Sequence, residues 1–266
     1  MFKDKVVVIT GAGSGIGREL ALQFADEEAR LALSDINPTG LDQTLAMIAA
    51  KPGVTARGYA LDVSSNEAFL AHAKAVQQDF GTAHYIVNNA GATIFGTVEH
   101  TTIEEFEWQL NVNMWSVLYG TKAFLPMMLA QKEGCIVNIS SVFGLLAFPT
   151  QSAYNMSKFA VRGLTEALWI ELAGSGVRAV CVHPGGIRTN IGRMGRSCAA
   201  ATEVDFEFSR KADDLLRTPP EHCAADIIRG LRKGKKRIIT GNRSSTMFWM
   251  ARLFPSSYPQ LLRLLG

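Results

Sequence analysis

The 266-residue sequence predicts an α/β fold: a single domain with a doubly wound, mostly parallel, seven-stranded sheet and helices on both faces. Three observations predict it. Short apolar, β-branched runs alternate with longer stretches of helical periodicity, as in repeated β–α units. The first apolar run passes directly into a glycine-rich turn and a helix. Finally, 47% hydrophobic and 19% charged residues fit a large, well-buried core.

The predicted elements follow one another regularly along the chain. Each predicted strand is an apolar run, and together they cover residues 6–9, 31–34, 54–60, 84–87, 135–139, 177–182 and 237–240. Apolar residues at helical spacing predict helices over residues 18–25, 66–80, 103–131, 154–172 and 220–232. Right-handed crossovers bring the carboxyl ends of parallel strands to one edge of the sheet, where ligands bind in such folds.

The first β–α unit carries the sequence TGAGSGIG over residues 10–17. Glycines allow a tight turn and close approach of the backbone, and the helix N-terminus offers unpaired N–H groups to a phosphate. An acidic residue, Asp35, ends the second apolar run about 20 residues further on. Strand, turn, helix and carboxylate together predict a dinucleotide site, against the alternative of a glycine turn that serves packing alone.

Tyr154 and Lys158 lie one helical turn apart, on one face of a predicted helix. A positive charge ~4 Å from the phenol is worth on the order of 4 kcal/mol at an effective dielectric of ~20, or roughly three pKa units. The pair is therefore expected to bring the phenol toward the range useful for acid–base catalysis at neutral pH. Alone, the same spacing is also that of an ordinary amphipathic helix.

Composition and charge exclude several classes of protein. A formal net charge of +3 is too small to indicate nucleic-acid binding by the chain as a whole. The four cysteines lack metal-like spacing and close pairs, so we expect free thiols in a reducing cytoplasm; they are Cys135, Cys181, Cys198 and Cys223. The N-terminus enters the first strand directly, which leaves no room for a signal peptide, and no apolar stretch reaches the length of a membrane span. We expect a cytoplasmic protein.

The chain resembles the short-chain dehydrogenase/reductase family in its roughly 250-residue, single-domain form. The resemblance covers residues 5 to about 241 and rests on ordered motifs: Thr10-Gly11-x-x-x-Gly15-x-Gly17, Asp62-Val63, Asn88-Asn89-Ala90-Gly91, Val112-Asn113, Ser140-Ser141, Tyr154-x-x-x-Lys158 and Pro184-Gly185. It implies NAD(P)-dependent oxidation of an alcohol or reduction of a carbonyl, without a metal. Residues 1–243 are expected to form the catalytic domain, with a substrate lid over about 185–218.

The resemblance assigns four catalytic residues. It implies that Tyr154 exchanges a proton with the substrate oxygen and that Lys158 favours the phenolate and contacts the nicotinamide ribose. Ser141, rather than Ser140, is expected to donate a hydrogen bond to the substrate oxygen. Asn113 matches the asparagine that helps to hold a water in a proton relay; a structural Asn is the alternative, because a buried amide must be paired.

The same resemblance implies a set of cofactor contacts. Besides Tyr154 and Lys158, the expected cofactor-binding residues are Gly11, Ser14, Gly15, Ile16, Gly17, Asp35, Asp62, Val63, Asn89, Ala90, Gly91, Pro184, Gly185, Ile187 and Thr189. Asn88 is expected to stabilise the sheet instead. Asp35 can accept hydrogen bonds from ribose hydroxyls and would repel a 2′-phosphate, so NAD is predicted over NADP, with Arg18 as the residue that could complicate this choice.

The substrate side predicts a hydrophobic alcohol or ketone. The residues expected around the pocket are mainly apolar: Ile94, Phe95, Val142, Phe143, Leu145, Leu146, Ala147, Phe148 and Pro149. Packing against the core or a neighbouring subunit is an open alternative. Arginines of the lid, Arg188, Arg193 and Arg196, would suit an acidic substrate group or be solvated. Substrate identity, physiological direction and oligomeric state stay open.

Residues 244–266 form an apolar and basic C-terminal extension that departs from the compact family pattern. A subunit contact is favoured, with a pocket cover and a membrane surface as alternatives. We expect a homo-oligomer, dimer or tetramer, that acts on a small hydrophobic substrate. The competing functions are a catalytically silent NAD(H)-binding module, an NADP(H)-dependent carbonyl reductase, and a dehydratase or epimerase, for which the chain has little room.

Overall fold

The computed structural model describes residues 1–51, 53–189, 191, 195–203 and 216–265. Of these, residues 263–265 are described by their backbone alone. Within these residues, seven parallel strands form one sheet in the order β3-β2-β1-β4-β6-β7-β9. The strands are β1 (Val6–Thr10), β2 (Arg30–Asp35), β3 (Ala56–Ala60), β4 (Tyr85–Asn88), β5 (Ile94–Phe95), β6 (Gly134–Ile139), β7 (Val177–Pro184), β8 (Arg196–Ser197) and β9 (Arg237–Thr240). β5 and β8 pair with each other outside the main sheet. The predicted doubly wound sheet is confirmed.

Helices cover both faces of the sheet. They are α1 (Gly15–Asp26), α2 (Pro38–Ala49), α3 (Asn66–Phe80), α4 (Ile103–Leu110), α5 (Ser116–Ala130), α6 (Ser152–Glu171), α7 (Pro220–Arg232), α8 (Ser244–Leu253) and α9 (Tyr258–Leu265). Local sequence fixes several starts. The Ser65 side chain accepts a hydrogen bond from the Ala68 N–H at the start of α3, and Thr102 with Glu105 forms a capping box at α4.

The alternation of side chains along β1 explains the two-sided core. Val7 and Ile9 pack on the face covered by α1 and α7, whereas Val6 and Val8 pack on the face covered by α3 and α5. All four are fully buried, and each contributes about 1.5–3 kcal/mol of hydrophobic stabilisation. Because β1 is anchored on both faces, the turn that follows it has a fixed position.

Three elements differ from the predicted pattern. The predicted helix over 103–131 is interrupted by a π-helical turn, Asn111–Trp115, which separates α4 from α5. The strand predicted over 54–60 begins at Ala56 and is largely exposed, because it lies at an edge of the sheet. The C-terminal extension folds as α8 and α9. Of the lid predicted over 185–218, residues 190, 192–194 and 204–215 lie outside the described residues.

The C-terminal helices contact the rest of the domain at defined points. Ser244 is buried, and its hydroxyl donates to the Thr240 carbonyl at 2.7 Å. Met250 of α8 is also buried, and the Ala147 N–H donates to the Tyr258 hydroxyl of α9 at 3.0 Å. Over the described part of the chain, none of the helices combines the length and apolar character needed to cross a bilayer.

Candidate active site

A cleft of about 810 Å³ opens at the carboxyl ends of the strands. It lies where the order of the sheet reverses between β1 and β4, the position at which open α/β sheets bind ligands. Its lining runs from the glycine-rich turn to the Tyr154–Lys158 pair. The structure therefore brings together the two motifs that the sequence analysis singled out at distant positions in the chain.

The glycine-rich turn has the shape of an anion site. Gly11 and Gly15 adopt positive φ values of 65° and 53°, which favour glycine. Ser14 is the N-cap of α1, but its side chain makes no capping hydrogen bond. The first N–H groups of α1 are therefore left for another acceptor at the positive end of the helix dipole. Gly11, Ser14, Gly15 and Ile16 all line the cleft, so this turn fits a dinucleotide pyrophosphate.

Gly17 does not line the cleft, unlike the other predicted cofactor-binding residues of this turn. A Cβ at this position would lie 2.5 Å from Asn89 Nδ2 and closer still to the Gly11 carbonyl oxygen. Asn89 Nδ2 itself donates to the carbonyls of Thr10 and Gly11, at 2.9 and 3.2 Å. Gly17 thus allows the helix to pack against the turn, and its predicted contact with the cofactor stays a prediction.

Asp35 ends β2 and Asp62 follows β3 by two residues, on the side of the cleft away from Tyr154. The Asp35 carboxylate is partly exposed and accepts hydrogen bonds from the N–H groups of Gly13 and Asn37, both at 2.8 Å. Arg18 lines the same region. Its guanidinium donates to the carbonyls of Gly13 and Gly40 and to the side chains of Gln43 and Thr44. Val63 completes the predicted residues on this side.

Two further segments close the middle of the cleft. Asn89, Ala90 and Gly91 follow β4, and a Cβ at Gly91 would lie 3.2 Å from Asn113 Oδ1 and 3.6 Å from Lys158 Nζ. Opposite them, Pro184, Gly185, Ile187 and Thr189 also line the cleft. The Thr189 methyl carbon lies 3.2 Å from where a Cβ of Gly15 would be, so this segment reaches back to the phosphate turn.

Tyr154, Lys158 and Ser141 share the other half of the cleft. Lys158 is buried, and its Nζ lies 5.4 Å from the centre of the Tyr154 ring and donates to the Ile139 carbonyl at 3.0 Å. Ser141 begins a 3-10 turn, and its Oγ accepts the Phe143 N–H at 3.1 Å. Ser140 instead donates to the Lys158 carbonyl at 2.8 Å, which ties β6 to α6.

The electrostatics of this pair differ from the prediction. Burial raises the pKa of Tyr154 to about 12, although a hydrogen bond with Ser141 opposes part of the rise. Burial also lowers the pKa of Lys158 to about 8. The predicted lowering of the phenol pKa by Lys158 is therefore wrong for the cofactor-free protein. Removing the phenolate from water outweighs the attraction of an ammonium that is itself desolvated.

Asn113 lies in the π-helical turn, is fully buried and does not line the cleft. Its Oδ1 accepts the Ala92 N–H at 2.8 Å, and its Nδ2 donates to the Ala92 carbonyl at 2.9 Å and to Ser157 Oγ at 3.3 Å. The side chain thus clamps the segment after β4 to α6. π-Helical turns are frequent at functional sites, and this one aims the amide at Ala92.

His183 helps to position Ser141 through a hydrogen bond to its backbone, and this role was not predicted from the sequence. This buried residue of β7 donates from Nδ1 to the Ser141 carbonyl at 2.9 Å. Burial lowers the pKa of His183 to about 4, so the ring is neutral at neutral pH and Nδ1 carries the proton. A histidine directly before Pro184-Gly185 is the signal that could have pointed to it.

The substrate half of the cleft is mostly apolar. Phe95, Val142 and Phe143 line it as expected, and the Phe143 ring stands edge-on to Tyr154 at 5.8 Å. Ile94, Leu145 and Leu146 are instead buried in the core. Lining residues on this side that were not predicted from the sequence include Thr93, Trp108 and Gln151, which come from segments without a recognisable motif. Ile191 and Leu216 also line the cleft, and both lie within the predicted lid.

Comparison with known proteins agrees with this geometry. The family model described as short chain dehydrogenase matches residues 5–197. The putative oxidoreductase SadH of Mycobacterium tuberculosis is 45% identical over 265 residues, which cover 98% of this chain and 95% of the relative. Mouse estradiol 17-beta-dehydrogenase 11 is 32% identical over 263 residues, which cover 97% and 83%.

Solved structures show the same similarity. A short-chain dehydrogenase/reductase from Burkholderia phymatum in complex with NAD has a TM-score of 0.84 and 32% identity, over 89% of both chains. An alcohol dehydrogenase from Thermococcus sibiricus complexed with 5-hydroxy-NADP has a TM-score of 0.74 and 28% identity, over 87% of this chain and 91% of that one. The family thus binds nicotinamide cofactors of both kinds. This protein is an oxidoreductase of the short-chain dehydrogenase/reductase family.

Proposed function

We propose that this oxidoreductase uses NAD(H) to interconvert a hydrophobic secondary alcohol and its ketone. The observation that carries the proposal is the shared cleft. Tyr154, Lys158 and Ser141 line one end of it, and an uncapped, glycine-rich helix N-terminus lines the other. A binding module would need the phosphate turn but not the partly buried phenol or the buried ammonium and hydroxyl, so a silent NAD(H)-binding protein is the weaker alternative.

Each of the three side chains has a defined task in this proposal. When it is bound, the nicotinamide ring accepts or supplies the hydride. The Tyr154 hydroxyl exchanges a proton with the substrate oxygen, and the Ser141 hydroxyl donates a hydrogen bond to the same oxygen. Lys158 has three N–H donors, of which one is used on the Ile139 carbonyl, so donors are left for a ribose hydroxyl and for the phenolate. In the resting protein Tyr154 is protonated, as its raised pKa requires.

Three observations favour NAD over NADP. A 2′-phosphate beside the Asp35 carboxylate would meet like-charge repulsion. The next residue, Ile36, is 70% exposed and carries no charge. The guanidinium of Arg18 is already held by four protein acceptors, so pairing with a phosphate would require breaking those bonds. A higher kcat/KM with NADP than with NAD would refute this choice and favour an NADP(H)-dependent carbonyl reductase.

An apolar substrate is supported by the cleft wall and by one relative. Phe95, Val142 and Phe143 would surround an alkyl or ring system, with the hydroxyl directed at Tyr154. The name of the mouse relative gives a steroid alcohol, estradiol, as its substrate. A screen of aliphatic, cyclic, steroid and hydroxyacyl alcohols for NADH formation would identify the class.

The central test is the substitution Tyr154→Phe. General acid–base catalysis contributes on the order of 10²–10⁴-fold, so turnover should fall by that factor while NADH binding, followed by fluorescence, persists. Tyr119→Phe is the matched control, since Tyr119 stacks on Trp115 and does not line the cleft. Wild-type activity in the Tyr154 variant would defeat the mechanism. Failure of the wild-type protein to oxidise or reduce any member of the screen would favour the silent module.

We also propose that the protein assembles with copies of itself. The face of α8 that carries Trp249 and Leu253, continued by Phe254, has side chains that are 57%, 63% and 48% exposed. Exposed apolar patches of this kind usually mark an interface. Location in the cytoplasm stays a prediction; none of the four cysteines, all within the described residues, forms a disulfide and all are buried, as a reducing compartment would allow.

A further inference from the structure

The charged residues of the cleft are unevenly distributed. Among the described lining residues, both carboxylates, Asp35 and Asp62, lie beside β2 and β3, on the adenosine side. The substrate side has an apolar wall and two cations, Lys158 and Arg196. Lys158 belongs to the catalytic group. Arg196 has no role in the proposed proton transfer, although it lines the same cleft.

The backbone of Arg196 is fixed next to the substrate wall. Arg196 lies in β8, and its N–H donates to the Thr93 carbonyl at 3.0 Å. Two residues further on, the Cys198 N–H donates to the Phe95 carbonyl at 2.9 Å. Gly96 lets the Cys198 side chain approach, because a Cβ there would lie 2.6 Å from the sulfur. β8 therefore holds Arg196 next to Thr93 and Phe95, which line the substrate side of the cleft.

The Arg196 side chain is also oriented. Its guanidinium carbon lies 4.2 Å from the centre of the Trp108 ring, which also lines the cleft. Within the described residues, no carboxylate forms a salt bridge with Arg196. A guanidinium that stacks on an aromatic face keeps the N–H donors along its edge for a planar acceptor, which suits a carboxylate held by two parallel hydrogen bonds.

We infer that Arg196 binds a carboxylate on the substrate, at the end remote from the carbon that reacts beside Tyr154. This inference rests on the proposed function and narrows its substrate class to hydrophobic hydroxy acids and the corresponding keto acids. The apolar chain would lie along Phe95 and Phe143, between the catalytic hydroxyls and the Arg196–Trp108 pair. A single planar cation fits a carboxylate monoanion, whereas a phosphate dianion would be better matched by several cations.

The test compares hydroxy fatty acids with their methyl esters as substrates for NAD reduction. The acids carry one secondary hydroxyl, and the number of methylenes between hydroxyl and carboxylate is varied. For each pair the ratio of kcat/KM for acid over ester is measured, so the ester controls for the apolar chain. At the best spacing the acid should be favoured about tenfold, the lower end of what a charge-assisted hydrogen bond contributes, because Arg196 lies at an exposed rim.

Variants test whether Arg196 causes the preference for the acid over the ester. Arg196→Gln should bring the ratio close to one, and Arg196→Lys should leave an intermediate ratio, because an ammonium cannot form the paired hydrogen bonds. Arg57→Gln is the matched control, since Arg57 lies on the exposed edge strand and forms its salt bridge with Asp79. It should keep the wild-type ratio.

Two results would overturn the inference. One is a wild-type ratio near one at every spacing, or no turnover of acids while neutral alcohols are oxidised. The other is a preference for acids that survives in Arg196→Gln. Both leave the proposed function standing. If no alcohol of any kind is oxidised, the proposed function fails and this inference fails with it.

Discussion

Gly17→Ala distinguishes a packing role for Gly17 from a cofactor contact. The added methyl would lie 2.5 Å from Asn89 Nδ2 and 2.8 Å from the Gly11 carbonyl carbon, where Cβ atoms are essentially never found closer than 3.0 Å. Overpacking of this kind costs about 1–3 kcal/mol. Displacing Asn89 would also weaken its hydrogen bonds to the Thr10 and Gly11 carbonyls, at about 1 kcal/mol each. The free energy of unfolding should therefore fall by about 3–5 kcal/mol.

Urea unfolding followed by tryptophan fluorescence, without cofactor, measures this loss. The matched control is Gly163→Ala in α6, where a Cβ would meet nothing within 4 Å and where alanine should stabilise the helix by about 0.5–1 kcal/mol. If Gly17 were only a contact for the pyrophosphate, the cofactor-free variant would unfold like the wild type and only NADH binding would weaken. That outcome would refute the packing argument.

Two further predictions concern stability and assembly. His72 is buried and its pKa is lowered to about 4, so the unfolded chain takes up a proton between about pH 6.5 and 4 that the folded protein does not. The wild-type protein therefore keeps its full stability above pH 6.5 and loses part of it on acidification. Between pH 7.5 and 5, the free energy of unfolding measured in urea should fall by about 2 kcal/mol more in the wild type than in His72→Phe. Equal losses in the two proteins would contradict this. Replacing Trp249, Leu253 and Phe254 together by serine should lower the mass measured by light scattering to that of a monomer, because it removes the exposed apolar face of α8; an unchanged mass would place the subunit contact elsewhere.

Much of the fold follows from local sequence. The strands buried in the middle of the sheet, such as β1 and β6, are apolar runs flanked by turns, and nothing in the tertiary structure alters them. The ends and interruptions depend on distant contacts instead. The π-helical turn Asn111–Trp115 is stabilised by the hydrogen bonds of its Asn113 side chain with Ala92 and Ser157. No local spacing in the sequence predicts these contacts.

The site divides in the same way. The glycine-rich turn and the Tyr154–Lys158 pair are local patterns, and the fold places both in one cleft. The pKa of Tyr154 could not be predicted from spacing alone, because burial decides it. Gly17 shows the same limit, since its neighbour Asn89 lies 72 positions away in the chain. Arg196 and Trp108 come together because β8 pairs with β5. That pairing spans only two residues, which is too short to leave a signal in the sequence.

The hydrogen bond between Ala147 and Tyr258 ties α9 to a loop beside the cleft. The loop that it holds carries Phe143 and Phe148, which stack at 4.5 Å, and the Phe143 ring stands edge-on to Tyr154 at 5.8 Å. We therefore expect changes in α9 to alter substrate choice without any change in the lining of the cleft. For protein engineering, this makes α9 a place to tune specificity from outside the site.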